Sequence, residues 1–400
     1  MHHVDTVTLG LLLFIACLVA IACRRFAQPY AIGLVVAGIA LSLFGFHSGL
    51  ALTPELVFSV LLPPLVFEAA LHLGWAQFRR ESPLVLSIAF GGTLLSALVV
   101  AVGMHWLAAW GWPASLLFGS LIAATDPVSV IALMKEQKAD QRLRFLMEAE
   151  SLINDGAAAV LFALVAAWIA GEASTPSGVV LALASTVGGG VLLGLAVGGA
   201  LMLVARPSDD HLVEITLTML AAYGSFLLAE ELHVSGVLAT LSAGMLVGNR
   251  GMGRDLTEEG GQAVVRFWEF AAFLANSVVF LLIGSSEAIQ PIASYWLPAL
   301  VGTVAVLAGR AAAIYPIARI FRKSPIAVDR LTQHILVWGG LRGALALALA
   351  LGAPQALPEH DALVSTAFAV VAFSIFVQGL TVPRLLRKAN VAADQVHSHA

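Results

Sequence analysis

Long runs of Leu, Val, Ala, Ile and Phe, each closed by a short cluster of polar or charged residues, recur along all 400 residues of the chain. The runs are roughly 17 to 25 residues long, the length an α-helix needs to cross about 30 Å of hydrocarbon at about 1.5 Å per residue. The alternating segments of about 10 residues that mark a membrane β-barrel are absent. The polar breaks predict thirteen helices, near 6–23, 30–46, 55–74, 83–103, 113–134, 144–170, 177–205, 211–230, 234–249, 263–286, 293–319, 327–352 and 361–383. The pattern therefore predicts an all-α polytopic membrane protein, and no stretch is left for a separate soluble domain.

Composition agrees with the pattern. The chain is 59% hydrophobic and 12% charged, against about 25% charged residues in a soluble domain. Where the charges fall matters more than their net value of −4. Most of the 21 basic residues lie in the odd-to-even connections or the C-terminal tail, among them Arg24, Arg25, Arg79, Arg80, Lys135, Lys138, Arg142, Arg144, Arg250, Arg254, Arg322 and Arg387. The N-terminus and the even-to-odd connections hold no Lys or Arg. The positive-inside rule then places the N-terminus outside and the C-terminus in the cytoplasm. The first run is not read as a signal peptide, because Arg24 and Arg25 follow it and no small-residue cleavage site appears. No basic patch with interleaved aromatics points to nucleic acid, and Cys17 and Cys23 fall on different faces of the first helix.

A charge at the bilayer centre costs about 2.5–3.5 kcal/mol on insertion scales, so charges retained there face a cavity or a partner. Six are retained: Glu68, Asp126, Glu150, Asp155, Arg310 and Arg342. In ESLINDG (150–156), Ser151 and Asp155 are four apart and share a helix face, while Glu150 and Asn154 share the next face, about 100° round. The hydroxyl and the amide also fit a plainer role as glue between helices. An acid is a costly glue, which singles out Asp155.

Pro127, in AATDPVSV (123–130), removes a backbone donor from an apolar run and predicts a helix break at Thr125–Asp126. Asp126 could then cap the following half-helix, with carbonyls near Thr125 open to a cation; a simple kink is the alternative. Gly339, Gly340 and Gly343 flank Arg342 in the twelfth segment and permit either unwinding or close helix packing. The fifth and twelfth segments are an odd number of crossings apart and so run in opposite directions, as in an inverted repeat with two crossing broken helices. Glu68 lies inside the third segment, and His72, one turn later, reads as an interfacial histidine. Arg310 is expected to neutralise a buried acid, with Glu150 its natural partner.

Asp155, Asp126, Ser151, Glu68 and the Thr125 carbonyl make an oxygen set suited to a hard cation such as Na⁺ or Li⁺, and no Cys, Met or His cluster offers a soft-metal site. A buried carboxylate holds a proton or a cation but not comfortably both. Exposed alternately to either side, it exchanges one for the other. Because Asn154 precedes Asp155, this pair holds one acid rather than two, which favours one cation per proton with no net charge movement.

These motifs carry a resemblance. FEAAL (67–71), ATDPV (124–128), ESLINDG (150–156), SGVLA (235–239), GNRG (248–251) and GGLRGALALAL (339–349), in this order over residues 6 to 390, resemble bacterial NhaP-type sodium/proton antiporters and their relatives, the animal sodium/hydrogen exchangers. The resemblance implies a multi-pass protein of the cell's inner membrane, a transporter rather than an enzyme, with no cofactor beyond the transported Na⁺ or Li⁺ and H⁺. It implies a lipid-embedded homodimer in which a core (about 83–170 and 293–383) moves against a dimerisation scaffold (about 6–74 and 177–286). It further implies that Asp155 binds ion and proton, that Ser151, Asp126, Thr125 and Glu68 line the site, and that Asn154 marks the electroneutral branch. Glu150 would form a structural ion pair with Arg310, and Arg342 would steady the crossed helices.

The sequence departs from the family at Ala149, where a glycine is usual, and at the serines of LLIGSSEAI (281–289). The tail is short, with 391–400 left after the membrane unit, and regulation is expected to reside in the membrane body. Two rival readings remain: a potassium/proton antiporter, whose looser pocket would use the same ligands, and, from another class, an intramembrane aspartyl protease using Asp126 and Asp155. The protease would be expected to carry YD and GxGD contexts, which TDP and ND are not.

Overall fold

The computed structural model describes residues 6–26, 28–44, 52–126, 130, 131, 134, 135, 137, 139–171, 176–205, 210–287 and 292–387. Pro127 and the tail 391–400 lie outside the described residues. Within them the chain is helical throughout, with no strand, only a single antiparallel bridge between Asp126 and Leu341.

The helices in chain order are α1 (Thr6–Phe26), α2 (Tyr30–Leu43), α3 (Leu62–His72), α4 (Trp75–Leu86), α5 (Thr93–Leu107), α6 (Trp112–Leu121), α7 (Gln141–Ile169), α8 (Pro176–Ala205), α9 (His211–Glu231), α10 (Gly236–Leu246), α11 (Glu258–Glu287), α12 (Trp296–Ile320), α13 (Arg330–Trp338), α14 (Ala344–Leu351) and α15 (His360–Phe373). Wider π-helical turns precede α3 and α5, follow α10 at Val247–Asp255, and follow α15 at Ser374–Gln378. Among the described residues, seven continuous helical stretches are long and apolar enough to cross a membrane, and Tyr30–Leu43 and Leu56–His72 are shorter apolar helices. Large apolar side chains such as Phe14, Ile21, Leu181, Leu192 and Ile320 point outward, which in a membrane is the lipid face rather than a liability.

Several helices start where a short polar side chain can hold the free backbone N–H groups. Asp140 accepts from Leu143 N–H, Ser235 from Leu238 N–H, and Asp329 from Leu331 and Thr332 N–H. Glu214 does the same from a different helix: fully buried in α9, it accepts from the backbone N–H of Thr257 at 2.9 Å, just ahead of α11. A carboxylate there also suits the positive end of the helix dipole.

The fourth predicted segment departs from expectation. Its helix begins at Trp75 rather than near 83 and runs on through a π turn to Leu107. The polar stretch 76–82 is helical because its central acid is not in water: Glu81 is 1% exposed and receives both Nε and Nη2 of Arg142, each at 2.9 Å. Arg142 also donates to the carbonyls of Ile326 and Ala327. This one knot ties α4, the start of α7 and the approach to α13.

Packing sorts the helices into two groups. In one, α2 lies along α11, and α8 and α9 along α10, with α3 against α10 and α11; in the other, α5 lies along α6 and α12, and α12 along α13 and α15. Small residues let the first group cross closely: a Cβ on Gly38 or Gly284 would collide with the backbone carbonyl of Leu281 or Val35. Helix α7 touches both groups, reaching α6 on one side and α8 and α10 on the other.

Candidate functional site

Two helix breaks meet in the interior. The first follows α6, where the backbone leaves the helix at residues 122–126; the second separates α13 from α14 over residues 339–343. They run antiparallel and are joined backbone to backbone by a hydrogen bond from Asp126 N–H to the Leu341 carbonyl at 2.8 Å. Close approach explains the glycines. A Cβ at Gly343 would stand 2.5 Å from the Asp126 Cβ and Oδ2, and one at Gly340 would stand 2.7 Å from Arg310 Nε. Gly339 fits closely against Met147.

Arg342 lies between the two breaks with 1% of its surface exposed. Its Nη1 donates to the carbonyls of Ala123 and Ala124 at 2.8 and 2.9 Å. Those carbonyls lie past the C-terminal end of α6, where helical partners run out and the dipole is negative, so a guanidinium is well placed there.

Helix α7 passes beside the crossing and presents ESLINDG to it. On one face, the Ser151 hydroxyl donates to the Thr125 carbonyl at 2.5 Å and accepts from the Thr125 hydroxyl at 2.9 Å. Asp155 lies one turn further on the same face, 9% exposed, with Oδ1 lacking a hydrogen-bond partner among the described residues. The charges that act on Asp155 are those of Asp126, Glu150 and Arg342.

On the adjacent face Glu150 is fully engaged. Arg310 Nη1 reaches its Oε1 at 2.7 Å and Nη2 its Oε2 at 3.4 Å, and Asn154 Nδ2 donates to Oε1 at 3.1 Å. Arg310 Nη2 also donates to the Leu336 carbonyl in α13 at 2.7 Å. Glu150 thus pairs with Arg310, while Arg342 serves the breaks. All of these groups are buried.

Glu68 is set apart from this cluster. Its side chain is 22% exposed and lies 3.5 Å from His72, and the charges acting on it are those of His72, Lys135 and Glu269. The structure therefore brings Thr125, Asp126, Ser151, Asp155 and Arg342 together, joins Glu150, Asn154 and Arg310 beside them, and puts Glu68 in a second group with His72.

Two further residues attach to the crossing without having been singled out in the sequence. Ser374 accepts from Arg342 N–H, and Gln378 donates to the carbonyl of Trp338. The signal was faint: two uncharged polar residues four apart in the last apolar run, too cheap to insert to stand out beside the charges.

Chemically, the cluster offers hydroxyl, carbonyl and carboxylate oxygens around one acid with an unused acceptor, which suits a hard monovalent cation or a proton.

Comparison with known proteins gives the same direction. The profile of the family described as sodium/hydrogen exchanger, transmembrane, matches residues 11–388. The low-affinity Na⁺/H⁺ antiporter NhaS1 of Synechocystis sp. is 36% identical over 92% of this chain and 71% of its own length. The Na⁺/H⁺ antiporter NhaH of Halobacillus aidingensis is 33% identical over 98% of this chain and 100% of its own. The Na⁺/H⁺ antiporter NhaP of Pseudomonas aeruginosa is 34% identical over 84% of this chain and 81% of its own. Among solved structures, the sodium proton antiporter MjNhaP1 from Methanocaldococcus jannaschii superposes with a TM-score of 0.77 over 95% of this chain and 97% of that one, at 18% identity, which speaks for the fold. With a profile match along nearly its whole length and relatives above 30% identity covering most of it, the chain belongs to the sodium/hydrogen exchanger family of multi-pass membrane proteins.

Proposed function

We propose that this protein exchanges Na⁺, or Li⁺, for H⁺ across the membrane, one for one and without net charge movement, through alternating access to a single carboxylate, Asp155. The observation that carries this reading is the setting of Asp155: a buried acid with one oxygen lacking a donor among the described residues, one turn from a Ser151–Thr125 oxygen pair and within the field of the Asp126 charge. NhaS1, NhaH and NhaP, named as Na⁺/H⁺ antiporters, support it, and none of the three is named as a potassium exchanger or a protease. Neutral exchange rests on Asn154. The residue beside Asp155 is an amide, and the next acid along α7, Glu150, already has its counter-charge in Arg310.

The wider machine follows from the same reading. The chain crosses the bacterial inner membrane thirteen times with its N-terminus outside, and works as a homodimer in which segments 83–170 and 293–383 move against 6–74 and 177–286. Ser151, Thr125 and Asp126 assist the ion at the crossing, Glu68 acts on it only from its separate group beside His72, and Pro127 with Gly339, Gly340 and Gly343 favours the two breaks that admit it.

The test is transport by the purified protein in sealed vesicles. A pH dye should dequench on adding Na⁺ or Li⁺, and the apparent KM for Na⁺ should rise as the medium is acidified, because proton and cation compete for one group. An electrical current accompanying exchange would sink the one-for-one stoichiometry. A larger response to K⁺ than to Na⁺ would replace the ion assignment.

A further inference from the structure

The break over residues 339–343 strips backbone groups of helical partners, and in a membrane each must find another inside the protein. The last helix supplies them. Ser374 Oγ accepts from Arg342 N–H at 2.8 Å and donates to Gln378 Oε1 at 2.7 Å. Gln378 Nε2 donates to the carbonyl of Trp338, the last residue of α13, at 2.9 Å. The Trp338 indole N–H completes the grip on Thr381 Oγ1 at 2.8 Å. Side chains at 374, 378 and 381 thus hold both ends of the break from one face of one helix.

Both ends of the Gln378 amide are used, one as acceptor and one as donor, so its orientation is fixed; turned over, it would set oxygen against the Trp338 carbonyl. Ser374 and Gln378 are 1% and 3% exposed, and the backbone between them makes a π turn, a local widening found often at functional sites. The relay continues to the ion site in one step. Arg342, held at its N–H by Ser374, reaches the carbonyls of Ala123 and Ala124, and the adjoining Leu341 carbonyl takes the N–H of Asp126. Between them lies Thr125, whose carbonyl faces Ser151.

We propose that Gln378 and Ser374 are positioning residues for the cation site: they set the seat of Arg342 and, through it, the Thr125–Asp126 peptide beside Asp155. This rests on the reading that Asp155, Ser151 and Thr125 take the transported cation. Neither side chain touches the ion; each acts through the backbone it holds.

The test measures Na⁺-driven proton movement against Na⁺ concentration, at several pH values, with the full chain in proteoliposomes. Gln378→Leu and Ser374→Ala should raise the KM for Na⁺ about fivefold or more while the maximal rate stays within about twofold, the split expected when ground-state binding is what suffers. Ser374→Thr keeps the hydroxyl and should restore the KM to within about twofold of wild type. Gln378→Glu can donate to the Trp338 carbonyl only when protonated, so its KM relative to wild type should fall towards one as the medium is acidified.

A merely structural role gives a constant ratio, and a flat Gln378→Glu profile overturns the proposal. So does a loss of maximal rate with unchanged KM in Gln378→Leu and Ser374→Ala. If those two variants accumulate poorly, the Gln378→Glu profile and Ser374→Thr decide alone. Wild type without Na⁺-dependent proton movement, or Asp155→Asn with it, would bring down the reading of the site itself; intact wild type, dead Asp155→Asn and an unmoved KM bring down only the relay.

Discussion

Glu150 and Asp155 lie five residues apart on α7, both nearly excluded from solvent, and the protein treats them in opposite ways. Glu150 has a guanidinium across both oxygens and an amide besides. Asp155 keeps an oxygen without a donor among the described residues and feels the charges of two further carboxylates as well as one arginine. A buried acid whose charge is fully met is a fixed part of the frame, and removing its partner leaves an uncompensated charge. A buried acid left partly unmet, among like charges, has use for a positive partner that comes and goes. The difference lies in the neighbours each helix face meets, not in the residue type.

The sharpest way to break this contrast is Asp155→Asn. Na⁺-dependent proton release is expected to fall about 100-fold or more, with the folded yield unchanged; surviving exchange, read by dye dequenching, would end the role of Asp155 as carrier. Next is Glu150→Gln, expected to cost about 3–5 kcal/mol by stranding Arg310, with Glu150→Leu combined with Arg310→Met recovering much of it. Folded yield and thermal midpoint in detergent measure this, and a well-folded Glu150→Gln that cannot transport would move Glu150 into the transport chemistry.

Gly343→Ala would press a methyl onto Asp126, and exchange is expected to drop about tenfold through that displacement; wild-type rates would mean that the two breaks give way easily. The smallest effect is expected from Glu68→Gln. Its side chain is partly exposed and grouped with His72, so the KM for Na⁺ should rise about two- to threefold with the maximal rate kept. Abolished exchange would put Glu68 on the same footing as Asp155.

Much of this was legible in the residues because lipid makes polarity expensive. The long apolar runs, the placement of Glu150 and Asn154 on one helix face with Ser151 on the next, and the breaks at Thr125–Asp126 and around Arg342 all follow from periodicity and the cost of burying charge. The misses share a cause as well. Residues 76–82 read as a loop because Arg79, Arg80 and Glu81 look solvated, and nothing local reveals that Arg142, 61 positions away, covers Glu81. The π turns leave no mark in the sequence because one inserted residue hardly disturbs an apolar pattern. Ser374 and Gln378 carry no charge and so do not stand out in the sequence, although what they hold is backbone, whose demands for partners are set by the break and not by the side chains around it.

The single bond from Asp126 to the Leu341 carbonyl has a use in the laboratory. Its amide hydrogen is locked between two stretches of chain more than two hundred positions apart, and solvent deuterium can replace it only when they separate. Mass spectrometry of a peptide covering residues 123–126 therefore times the separation directly. Whether Na⁺ slows or hastens that uptake would show whether cargo fastens the crossing or loosens it.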